Sequence, residues 1–209
     1  SAKNSYFYNN YLYASTGTTG GGFFKLDPNN GYSVAEQFNF AGERAKYVAH
    51  NNTYQVFLAT QANGASLRIA NNDGSNAKVY NYAGLAQSVT DGKNVIVLDD
   101  EFVYLALSDK GVAKIRLNDG QLISTFIPRN FKVNNQNVFS QSGLTNAVAV
   151  SNCYLYLANG TDGVIVLNKT NFKVVGYYKL NGSANYIYIN NNLAFVATGQ
   201  SGLNILKIN

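Results

Sequence analysis

One pattern recurs along the whole chain and restricts what it can fold into. An aromatic-rich run ends in alanine, a short polar loop and a glycine follow, and a second apolar run begins. The copies read YLYASTGTTGGGFFKLD (11–27), QVFLATQANGASLRIAN (55–71), FVYLALSDKGVAKIRLND (102–119), YLYLANGTDGVIVLNK (154–169) and LAFVATGQSGLNILKIN (193–209). Aligned on Ala14, Ala59, Ala106, Ala158 and Ala197, they are spaced 45, 47, 52 and 39 residues apart. In four copies a glycine (Gly64, Gly111, Gly163, Gly202) follows the alanine by five residues. A period in the forties with strand alternation throughout, and no run with helical spacing, is what the blades of a β-propeller require.

Each unit fills out to four strands. Before the alanine strand stand NAVAV, NVIVL or NYIYI, each followed by a two- or three-residue polar turn. After the glycine strand comes an Asn/Asp/Gly turn, then YSVAEQFNF, QLISTFI or FKVVGYYKL. Such turns supply the positive φ values that tight hairpins need. The expected fold is therefore all-β: a five-bladed β-propeller of four-stranded antiparallel meander blades, one domain over 1–209 with units near 5–40, 45–83, 94–127, 146–180 and 185–209. The fifth unit stops after its third strand, so the last blade lacks its outer strand. A lone sheet of about forty residues buries too little, so each blade must cover its neighbour. The recurring alanine reads as a small residue where adjacent sheets crowd.

The units AVAVSNCYLYLANGTDGVIVLNK and NYIYINNNLAFVATGQSGLNILKIN resemble the LVIVD-type propeller repeat, with its V-A-V strand, Y-x-Y-V-A strand, glycine turn and G-L-x-I-x-D strand. The chain departs from that pattern at the residue closing the glycine strand, which is Asp27 once and Asn or Lys elsewhere. The resemblance implies a secreted or surface-anchored bacterial protein, and names no reaction.

Composition removes several function classes. The net charge of +5 is spread over distant lysines with no basic run, which argues against nucleic acid. Cys153 is the only cysteine, so no intrachain disulfide forms, and its place at a strand edge predicts a buried or half-buried thiol. No apolar run reaches 18 residues, so no transmembrane segment is expected. The chain has no Met and begins at Ser1, as a processed chain would. His50 is the only histidine, too few for a zinc site, and no G-x-S-x-G elbow accompanies it. No cofactor is expected. The acidic cluster Asp99, Asp100 and Glu101 and the stretch NNDGSN at 71–76 read as solvated turns, and the glycine loop at 17–22 lacks the lysine and helix of a phosphate cradle.

In a meander blade the loops joining strands two to three and four to one share one rim. That rim is the expected contact face, and it carries Arg44, Lys46, Asp109 and Asp162. The insertion PRNFKVNNQNVFSQSGLTN (128–146) is long for a connection between strands and brings Arg129, Phe131, Lys132, Gln136, Phe139 and Gln141 to it. The leading expectation is a non-enzymatic extracellular binding module that contacts a protein or glycan through these residues. Two alternatives stand beside it. One is a propeller lyase or glycosidase in which Asp91, Asp109, Asp162, Arg44 and Lys46 converge in a central channel. The other is a structural piece of a larger assembly, with self-association or a partner strand at the bare edge of blade five.

Overall fold

The computed structural model describes residues 3–17, 22–40, 43–61, 63–88 and 93–208. Asp91 of the proposed channel and part of the glycine loop at 17–22 lie outside these. Among the described residues there is no α-helix, only four short 3-10 turns and 21 strands in small antiparallel sheets. No helix among them is long and apolar enough to cross a membrane.

The first sheet is a meander of β1 (Asn4–Tyr8), β2 (Tyr11–Ser15), β3 (Gly22–Asp27) and β4 (Ser33–Asn39). The second is β5 (Arg44–His50), β6 (Tyr54–Gln61), β7 (Gly64–Asn71) and β8 (Lys78–Tyr82). The third is β9 (Ile96–Leu98), β10 (Phe102–Ala106), β11 (Val112–Arg116) and β12 (Leu122–Phe126). A two-stranded hairpin follows, β13 (Lys132–Val133) and β14 (Gln136–Asn137), then the fourth sheet of β15 (Ala147–Val150), β16 (Tyr154–Ala158), β17 (Val164–Asn168) and β18 (Val174–Tyr178). The fifth has three strands, β19 (Tyr186–Asn190), β20 (Leu193–Ala197) and β21 (Leu203–Lys207).

The described residues fall into two compact units. One comprises Ser1–Thr90, Leu98–Val103 and Leu117–Gly120, the other Asp91–Val97, Tyr104–Arg116 and Gln121–Asn209. In the first, β5 packs across β1, β2 and β3. His50 stacks on Tyr8 with centroids 4.4 Å apart, and Tyr13, Phe23 and Phe57 continue the aromatic layer. In the second, β19 packs across β15 and β16 in the same way. There the loop after one sheet's second strand is bonded to the segment that leads into the next sheet. Ser108 and Thr145 exchange two backbone hydrogen bonds of 3.0 Å, and Gly160 and Ala184 exchange the equivalent pair at 3.1 and 2.8 Å.

Strand register corrects the alignment on alanine. The small position opposite the residue after the glycine is Ala158, paired with Val164, and Ala197, paired with Leu203, but in the first two sheets it is Ser15, paired with Phe23, and Thr60, paired with Ala65. Ala14 and Ala59 sit one residue earlier and point to the opposite face, because side chains alternate along a strand. The need for a small residue is met by hydroxyls here, and Ser15 Oγ donates to the Lys46 carbonyl at 2.8 Å.

The glycine has a separate cause. At Gly111 and Gly163 the backbone has φ of +70° and +83°, and a Cβ would strike the outer-strand carbonyl of Phe126 or Tyr178. At Gly202 a Cβ would meet nothing, because the fifth sheet has no outer strand.

Sheet five also shows what coverage by a neighbour does. Val164, Val166 and Ala149 of sheet four are 0%, 7% and 7% exposed, whereas their register equivalents Leu203, Ile205 and Tyr188 are 62%, 57% and 57% exposed. Cys153, expected to be at least half-buried, is exposed, because it lies in the turn before β16 and not on the strand.

Replacing Gly163 with Ala should lower stability by about 2 kcal/mol or more, a fall in Tm of about 4–8 °C for a chain of this size. Gly176, in mid-strand with open space around it, provides the control. Gly176→Ala should leave Tm unchanged or raise it, and equal losses for the two variants in differential scanning calorimetry would contradict the packing described.

Candidate functional site

The insertion after β12 is folded, not the strandless loop expected from its sequence. A 3-10 turn at Pro128–Asn130 leads into the β13–β14 hairpin, whose tip residues Asn134 and Asn135 have φ of +50° and +63°. That is the left-handed pair which a two-residue hairpin turn demands and which asparagine tolerates. The hairpin is anchored through aromatic rings. Phe131 stacks on Phe139 with centroids 5.7 Å apart, Phe139 meets Tyr177 edge-on at 5.9 Å, and Phe126 meets Phe131 at 6.2 Å.

The sequence-derived site residues divide by environment. Lys132, Gln136 and Gln141 are exposed, and so are Val133 and Val138 of the same hairpin. Arg129 and Phe131 are half-buried, while Phe139 is buried and serves as an anchor, not a contact residue. Asp109 and Asp162 are buried as well. Asp109 Oδ2 lies 3.8 Å from Arg129 Nη2, and Gln141 Nε2 donates to the Arg129 carbonyl at 2.7 Å, so these three come together. Asp162 accepts from the Ser140 N–H and from Asn159 Nδ2, each at 2.9 Å, and Thr145 Oγ1 donates to Asn159 Oδ1 at 2.8 Å. Each carboxylate is thus engaged in holding the insertion against the loops of sheets three and four.

In the other unit, Arg44 is half-buried and Lys46 is buried at a bulge of β5. Beside them Glu43, absent from the sequence-derived set, is buried with Oε1 accepting from Ser66 Oγ at 2.7 Å and Oε2 unpartnered. No motif marks Glu43. Its burial arises only in the folded sheet, where Ser66 of β7, two strands away, comes within hydrogen-bond reach. The acidic turn behaves as a turn: Asp99 Oδ1 accepts from the N–H groups of Glu101 and Phe102 at 3.0 and 2.7 Å. Among the described residues no group of three or more His, Cys, Asp or Glu could hold a metal ion.

His50 is buried between Tyr6, Tyr8 and Tyr13, and neither ring nitrogen has a partner. Burial holds the imidazole neutral, down to a pKa of about 4, with the nearby Gln55 side chain opposing the effect and Lys25 adding to it. Burial likewise pushes the Tyr13 phenol up to about 12. A stack of neutral rings is a packing element with no proton to move near neutral pH.

Two clefts share register positions in the repeat, one in each unit. In the first unit a cleft of about 230 Å³ is lined by Tyr54, Tyr80, Asn76, Lys78 and Asn118 around Leu117. In the second a cleft of about 370 Å³ is lined by Tyr154, Tyr156, Tyr177 and Tyr178, with Gly176 at the register position of Tyr80 and Ile208 at that of Leu117. The first is rich in amides and the second almost wholly aromatic and aliphatic. Sequence reading missed both, since the Asn-rich turns at 71–76 and 118–120 look like ordinary hairpin turns until they meet.

Comparison with solved structures supports the fold. The Myceliophteria thermophila Cps50 (Swd1) β-propeller domain superposes with a TM-score of 0.71 at 7% identity, over 100% of this chain and 69% of that one. The computationally designed Ika8 protein gives 0.66 at 12% identity, over 99% of this chain and 58% of that one. The designed Ika4 protein gives 0.59 at 11%, over 81% and 94%. The chain thus spans 58% of the length of the Ika8 structure. A propeller-like all-β fold is what these similarities establish. No family model and no curated protein sequence matches the chain.

Because folded His50 ionises near pH 4 and an unfolded histidine near 6.5, stability is complete above pH 6.5 and declines as the pH falls toward 4. The expected loss is about 3 kcal/mol, measurable by urea denaturation at pH 7.5 and 4.5. His50→Phe should flatten that dependence, and an unchanged slope in this variant would remove His50 as its source.

Proposed function

We propose that the chain is a non-enzymatic binding module of a secreted or surface-attached bacterial protein, built as a five-bladed β-propeller of LVIVD-type repeats, and that it contacts a protein or glycan through the insertion at 128–146. The observation that carries this reading is the β13–β14 hairpin. It presents exposed Lys132, Val133, Gln136 and Val138 on a base fixed by Phe131, Phe139 and the Arg129–Asp109 pair. A contact element of this kind loses little entropy on binding because its backbone is already ordered. The engagement of Asp109 in an ion pair and of Asp162 in hydrogen bonds that hold the insertion favours binding over acid–base chemistry there. Retention of labelled protein on bacterial cell-envelope preparations and on a glycan array tests the assignment. The triple variant Lys132→Ala, Val133→Ser, Gln136→Ala should bind about tenfold more weakly with its melting temperature nearly unchanged. Undiminished retention would remove the hairpin from the contact surface.

The uncovered face of sheet five favours a second reading, a structural piece completed by another sheet of the same kind. Tyr186, Tyr188, Leu203 and Ile205 are exposed together, and the β21 edge is unpaired among the described residues. Covering one Leu or Ile is worth about 1.5–3 kcal/mol, so Leu203 and Ile205 together with the two tyrosine rings supply a driving force for association. Light scattering over a hundredfold concentration range should then show a mass increase that Leu203→Asp abolishes, whereas a constant monomer mass would exclude self-association.

A further inference from the structure

The geometry points to the cleft bounded by Tyr54, Tyr80, Asn76, Lys78 and Asn118 as a binding site for a neutral pyranose sugar, separate from the insertion hairpin. Its polar groups are unspent. Among the described residues, no side chain or backbone group pairs with the Tyr54 or Tyr80 hydroxyl, the Asn76 or Asn118 amide, or Lys78 Nζ. Several neighbouring side chains, by contrast, are hydrogen-bonded within the turn, although the buried Asn72 Oδ1 is not. Asn71 Nδ2 donates to Ser75 Oγ at 2.9 Å, Gln55 Nε2 to the Asn71 carbonyl at 2.9 Å, and Asp73 Oδ1 accepts from Ser75 at 2.6 and 2.8 Å. Five polar side chains without protein partners around one small cleft form the kind of convergent polar set that fixes a ligand's orientation.

The residue types select the ligand. An amide both donates and accepts, as a sugar hydroxyl does, so Asn76 and Asn118 match a polyhydroxylated ring without requiring it to carry charge. The tyrosine rings supply apolar faces for the C–H side of a pyranose, and their hydroxyls reach its oxygens. The volume, about 230 Å³, lies below the roughly 300 Å³ at which pockets begin to enclose drug-sized ligands, and suits one ring. Lys78 is the only charged side chain lining the cleft, one ammonium among neutral phenols and amides, so most of the polar lining suits a neutral ring.

The cleft is also held open by design of the backbone. Gly120, at φ of +69°, lies against the Tyr80 ring where any Cβ would collide, and Tyr82 OH fixes its carbonyl at 2.7 Å. The equivalent cleft around Gly176, larger and without amide or charged lining, lacks the hydrogen-bonding set and is the internal contrast.

A glycan array followed by titration of the best neutral oligosaccharide, observed through the asparagine side-chain amides by NMR, tests the site. Millimolar binding that shifts the Asn76 and Asn118 amides is expected, little changed between 50 and 500 mM NaCl. Asn118→Ala and Asn76→Gly, which keeps the left-handed backbone at 76, should each weaken binding at least threefold with unaltered melting temperature, and Tyr54→Phe should do so more mildly. The hairpin triple variant should bind the same sugar normally, so loss of the hairpin contact and loss of this site are separable. The assignment is overturned if no neutral glycan is retained, if binding survives Asn76→Gly/Asn118→Ala, if acidic glycans bind best and salt abolishes them, or if polyglutamate occupies the cleft instead.

Discussion

Everything in this protein follows from the fact that a small twisted sheet with two apolar faces cannot stand alone in water. Sheets one and two meet through the stack of Tyr6, Tyr8 and Tyr13 on His50, and sheets four and five through β15, β16 and β19. Where coverage exists, valines and leucines are wholly buried. Where it is lacking, at Tyr188, Leu203 and Ile205, residues of the same kind stand in solvent. The same constraint explains the small residue at Ser15, Thr60, Ala106, Ala158 and Ala197, and the reciprocal backbone bonds of Ser108 with Thr145 and Gly160 with Ala184.

Chemistry is left to the rims, because the sheets use their side chains for packing. In the second unit the carboxylates of Asp109 and Asp162 hold the insertion and Phe139 is its internal anchor, which leaves Lys132, Val133, Gln136 and Val138 as the exposed ridge of the proposed contact surface. In the first unit the turns at 71–76 and 118–120 bond partly within themselves and leave a few amides, phenols and one ammonium lining a cleft. A ligand site here is the residue of what folding did not consume. The buried Glu43 and His50 show the converse: ionisable groups enclosed by neighbouring strands, with atoms unpaired and no opening described beside them.

The repeat, the strand count per unit, the three-stranded last sheet and the near absence of helix were readable because each rests on local periodicity and turn chemistry. The residues 128–146 were identifiable as an insertion, but not as a hairpin on an aromatic base, since Phe126 and Tyr177 come from strands on either side of it. The exposure of Cys153 and the burial of Phe139 escaped for a related reason: composition near a strand end does not say on which side of the turn a residue falls.

The sequence by itself determined that this chain makes successive antiparallel meanders, because alternation of apolar residues and asparagine or glycine turns act within a few residues of one another. Only the tertiary structure decided the register, and with it that Ser15 and Thr60, not Ala14 and Ala59, stand opposite the residue after the glycine, because a shift of one residue reverses every side chain yet leaves the pattern of letters almost the same. It alone also brought the turn at 118–120 to Tyr54, Asn76 and Lys78, since the packing of one sheet on another, and not any spacing along the chain, sets which turns become neighbours.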